Sequence, residues 1–174
     1  MESKFAIAGH PVHPMLVALP IGLFVWALAA SIIYLISDSD RTWYEISYWS
    51  SIAGIATAFL AAVPGFVDGF TIARNSEARE KAMLHMSLNL VVIGLFFGAV
   101  LLMRDNGALD GGELTFAVAL QAIAVGLLAL SGWIGGEMVF RDHLATIPED
   151  SEVAAEEQRR HSHKPQPRQT PQRR

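Results

Sequence analysis

Four apolar runs set the rhythm of the chain, broken by short polar stretches: roughly Pro14 to Ile36, Tyr48 to Val67, Met83 to Met103 and Leu114 to Phe140. Each reaches the ~20 residues a helix needs to cross the hydrocarbon of a bilayer. Lipid offers no partner to a bare N–H or C=O, so helix is the form such a run takes there. The pattern predicts an all-α integral membrane four-helix bundle over residues 9–146, followed by a charged tail over 147–174. A cleavable signal peptide is the alternative for the first run, because Ala27-Leu28-Ala29 has small-x-small spacing. The run continues through Ser31 to Ile36, longer than a signal core, and only Lys4 precedes it, so the first helix is expected to stay.

Internal similarity divides the bundle in two. "HPMLVALPIGLF" (His13 to Phe24) and "HMSLNLVVIGLF" (His85 to Phe96) agree at six of twelve positions. "LAAVPGFV" and "LLALSGWI", closing the second and fourth runs, align Gly65 with Gly132. Two tandem helical hairpins entering from the same face form a parallel repeat about an axis along the membrane normal, which sets His13 and His85 at one depth. Gly65 and Gly69, Gly94 and Gly98, and Gly132 and Gly136 stand four apart, and such small-residue ridges predict close helix approach. Pro14 suits a first helical turn, whereas Pro20 and Pro64 each free a carbonyl that needs a partner.

Composition agrees with the pattern, since 52% of the 174 residues are hydrophobic and mean hydropathy is positive. The chain has no cysteine, which excludes disulfides, thiolate metal sites and iron–sulfur clusters held by this chain alone. Charge then orients the bundle. With the N-terminus inside, eleven Lys and Arg fall on the cytoplasmic face and only Arg41 and Arg104 on the other. That bias predicts cytoplasmic N- and C-termini. Trp43, Tyr44, Tyr48 and Trp49 then form an aromatic belt at the outer headgroup level.

Ionisable residues gather at the cytoplasmic ends: His10, His13, Asp68, His85, Glu137, Arg141 and His143. Glu137 and Arg141, four apart in the favourable order, predict an interfacial ion pair. Two neutral imidazoles facing each other across a bundle suit axial ligation of iron in haem b, with His13 and His85 as ligands and His10 beside them. Asp68, Glu137 and Arg141 are the supporting polar groups. A divalent metal held by His10 and His13 with Asp68 or His85 is a second chemistry for the same residues. Proton or ion conduction through the histidines and Asp68 is a third. A non-catalytic scaffold docking a redox or regulatory partner protein is the fourth. No phosphate loop, nucleophile elbow or paired-carboxylate motif occurs, which argues against a stand-alone enzyme.

"GHPVHPMLVALPIGLF", "PGFVDG", "LHMSLNL" and "LSGWIGGEMVFR" together resemble the bacterial membrane family catalogued as domain of unknown function family 2231. The resemblance runs from about Gly9 to Arg141 and implies a four-helix domain of a bacterial inner membrane. In some relatives that domain is joined to a Rieske-type iron–sulfur domain, which implies redox work. Family members commonly place histidine directly after the closing arginine, whereas here Asp142 intervenes before His143. Beyond Ile147 five acids precede the basic "RRHSHKPQPRQTPQRR", which has no apolar face to bury and is expected to be disordered. The tail suits anionic lipid headgroups. The net charge of −4 gives no sign of a nucleic-acid partner.

Overall fold

The computed structural model describes residues 6–7, 10–37, 40–72, 76–104 and 111–141. A two-residue antiparallel ladder of β1 (Ala6–Ile7) and β2 (His10–Pro11) leads into five helices. These are α1 (Val12–Leu16), α2 (Ala18–Ile36), α3 (Arg41–Thr71), α4 (Glu77–Leu102) and α5 (Gly111–Phe140). Helices α1 and α2 form one span with a break at Val17, three residues before Pro20, which has no N–H to close that turn. Among the described residues four spans are long and apolar enough to cross a membrane. The expectations for the tail and for His143 fall outside the described residues.

The helices outrun the apolar runs at their starts, because polar residues close the first turns. Asp40 accepts the Thr42 N–H at 2.9 Å and so opens α3 at Arg41 rather than Tyr48. Ser76 accepts the Arg79 N–H at 3.2 Å, and Glu77 and Glu80 complement the positive end of α4. At the other end of α3 the Arg79 guanidinium donates to the Gly69 carbonyl and lies over the Phe70 ring.

Packing follows the hairpin repeat: α2 lies along α3 and α4 along α5, while α3–α4 and α2–α5 contacts close the ring. The first and third spans therefore face each other across the bundle's diagonal. Phe24 and Phe96 meet there as stacked rings with centroids 4.1 Å apart, packed with Ala27, Val92, Ala124 and Leu128. The outward faces carry Trp26, Phe59, Phe66, Phe97, Phe116, Ile123 and Trp133, all exposed. A water-soluble fold does not leave so many large apolar side chains uncovered, whereas hydrocarbon is their ordinary surrounding.

Two sequence expectations need correction. Tyr44 is not a belt residue: it is 4% exposed, and its hydroxyl donates to the Met103 carbonyl across the bundle. The glycine ridges are mostly open, since a Cβ at Gly69, Gly94, Gly132 or Gly136 meets nothing within 4 Å. The close approaches fall at Gly54, under Phe24, and at Gly65 and Gly135, under His13 and His85.

Candidate functional site

His13 and His85 face each other at the end of the bundle nearer the termini. Their ring centroids are 6.4 Å apart and their planes are almost perpendicular. Each imidazole is fixed by the second helix of its own hairpin. The Nδ1–H of His13 donates to the Ala61 carbonyl at 2.8 Å, and that of His85 to the Ser131 carbonyl at 2.8 Å. A carbonyl can only accept, so both rings carry a proton on Nδ1. The ring then lies over the glycine four residues beyond that carbonyl. A Cβ at Gly65 would come within 2.7 Å of the His13 ring, and one at Gly135 within 3.1 Å of the His85 ring.

This shared construction corrects the register of the repeat. Ala61 corresponds to Ser131 and Gly65 to Gly135, three residues from the Gly65–Gly132 alignment that the apolar letters suggest. The same offset superimposes the buried positions Tyr44 on Leu114, Ser47 on Ala117, Ser51 on Gln121 and Gly54 on Ala124. Burial repeats along with the histidines, so the two hairpins are equivalent in packing as well as in letters.

The repeat is broken in polar detail. The Asn89 amide of α4 donates to His85 Nε2 at 3.0 Å and to Ser131 Oγ at 2.9 Å. Its counterparts in the first hairpin are Val17 and Ala61, which offer no side-chain polar group. His85 is thus hydrogen-bonded at both nitrogens, whereas His13 Nε2 has no hydrogen-bond partner among the described residues. Sequence reading missed Asn89 and Ser131, although each lies one helical turn or less from a position already singled out.

The remaining candidates are more peripheral. His10 is exposed on the strand pair that precedes α1. Asp68 is half-buried one turn from the end of α3, and neither imidazole bonds to it. Glu137 and Arg141 form the expected i,i+4 ion pair at 2.9 Å. Among the described residues no three His, Asp or Glu side chains come together as a metal-binding group, so the His10, His13 and Asp68 or His85 set is not assembled.

A family model described as predicted membrane protein (DUF2231) matches residues 9–148. No curated protein and no solved structure matches the chain.

Proposed function

The chain belongs to the membrane family DUF2231, whose matched segment takes in all four spans and both facing imidazoles, and on that premise we propose that it is an electron-carrying membrane subunit in which His13 and His85 hold a haem iron. The supporting observation is the pair itself: two imidazoles 6.4 Å apart between centroids, each with Nδ1–H committed to a carbonyl. Histidines that ligate metals characteristically donate the other ring N–H in this way, which fixes the tautomer and leaves the Nε2 lone pair for the metal.

The donor set favours haem over a bare ion. Two side chains make an incomplete shell for a bare ion, whereas haem iron, already held by its own macrocycle, would need only the two protein ligands that His13 and His85 would supply. Bound there, haem supplies a one-electron couple near one membrane face. The chain's own residues set the rest: Ala61 and Ser131 hold the imidazoles, Leu16 and Leu88 sit one turn deeper, and His10 at the mouth suits a charged edge. Lys and Arg on the side of the termini orient that mouth toward the cytoplasm of a bacterial inner membrane.

Asn89 supports a second reading. Its bond to His85 Nε2 must open before that nitrogen can ligate anything, and while closed it makes His85 a fastener between α4 and α5. On this reading the protein is a scaffold that docks a partner and carries no cofactor. Absorption spectra of protein expressed with a haem precursor separate the two. The electron-carrier reading expects a Soret band with a low-spin visible spectrum. A colourless protein from haem-replete cells contradicts it and leaves the scaffold.

A further inference from the structure

At the other end of the bundle a second polar cluster lies inside the membrane span. Ser31, Ser47, Ser51 and Gln121, from α2, α3 and α5, are each no more than 1% exposed. In hydrocarbon no bulk solvent reaches such groups, so each donor and acceptor must be matched internally.

Counting hydrogens shows what is missing. The Ser51 hydroxyl donates to the Ser47 carbonyl at 2.8 Å, which uses its one hydrogen. Ser51 Oγ therefore only accepts from Gln121, and this fixes the amide with Nε2 toward Ser51 at 3.3 Å and Ser47 at 3.2 Å. The Gln121 Oε1 atom, fully buried, then has no hydrogen-bond partner. Ser31 and Ser47 share a single hydrogen bond of 2.6 Å between their hydroxyls, so one hydroxyl hydrogen of the pair is also unused.

A water that donates one hydrogen and accepts another satisfies both, making two bonds, the lower end of the range for buried waters. We propose that the bundle binds a single ordered water between Gln121 and Ser47, donating to Gln121 Oε1 and accepting from the Ser47 hydroxyl. Ser31 then donates to Ser47, whose oxygen accepts from Ser31 and Gln121 and whose hydrogen goes to the water. The reach is adequate. Oε1 and Nε2 of one amide are about 2.2 Å apart, so with Nε2 at 3.2 Å from Ser47 Oγ, Oε1 lies at most about 5.4 Å from that hydroxyl. Two hydrogen bonds of about 2.8 Å through one water cover that distance. The neighbouring side chains are small: Ala117 precedes Gln121 by one turn and, with Ala99, packs against Met103.

The test is a high-resolution structure of the full chain in lipid, determined in sodium buffer and again with choline replacing sodium. The expected result in both is an isolated density peak at hydrogen-bonding distance from both Gln121 Oε1 and Ser47 Oγ. No peak, with Oε1 still lacking a donor, overturns the proposal, as does a peak present only with sodium. Gln121→Met gives an independent readout by thermal unfolding in detergent. A lowered midpoint supports a satisfied network, and an unchanged or raised midpoint means that a dry, unmatched amide has been removed.

Discussion

Replacing Gly65 with alanine puts a methyl carbon 2.7 Å from Cε1 and Nδ1 of His13 and 3.1 Å from Cγ. Carbon atoms rest at about 3.5–4.0 Å, so the ring must retreat by roughly 1 Å. The bond from Nδ1 to the Ala61 carbonyl, now 2.8 Å, then stretches past the ~3.5 Å at which a hydrogen bond is lost. That loss costs about 1 kcal/mol, and the overpacking adds about 1–3 kcal/mol. Alanine's better helix propensity returns at most about 1 kcal/mol, so the net is a destabilisation of about 1–3 kcal/mol. Gly69, one turn further along α3, has open space where its Cβ would go. There the same substitution keeps the propensity gain without the clash. Thermal unfolding followed by circular dichroism in one detergent should place Gly65→Ala below wild type and Gly69→Ala at or above it. Equal midpoints for the two variants would refute the claim that His13 is seated on Gly65.

Gly54→Ala drives a Cβ to 2.7 Å from the Phe24 ring and should lower the midpoint as Gly65→Ala does, whereas Gly132→Ala and Gly136→Ala, with nothing within 4 Å, should be tolerated. If haem binds, Asn89→Leu removes the competitor at His85 Nε2 and should tighten haem binding in a titration; weaker binding would make Asn89 a support of the site. Asp40 accepts the Thr42 N–H, which holds its carboxyl below the ordinary value of 3.8. A depressed folded value means the cap contributes above the ordinary carboxylate range and is lost as pH falls through that lowered value. Hydrogen exchange at the start of α3, corrected for intrinsic rates, should therefore show less protection in that acid range than at neutral pH, and Asp40→Asn should abolish the difference.

The spans were legible because burial in lipid imposes a composition on about twenty residues at a time. Their polar starts at Arg41 and Glu77 were not, since caps such as Asp40 and Ser76 act through one hydrogen bond each and leave no trace in hydropathy. His13 and His85 were legible as a pair because the repeat carries them at matching positions. The register of the other two helices was missed because Gly132 and Gly135 are equally plausible letters, and only the ring resting on one of them tells them apart. The serines and Gln121 read as incidental in apolar runs. Their signal was positional: Ser47, Ser51 and, seventy residues on from Ser51, Gln121 occupy the inward stripe of their helices.

Titration of the haem-free protein with haem tests the central claim most directly. The account predicts saturation at one haem per chain with a low-spin spectrum, lost in His13→Ala and in His85→Ala. A wild-type protein that shows no saturable binding, or one whose spectrum survives both substitutions, contradicts the assignment of the facing imidazoles as a ligand pair.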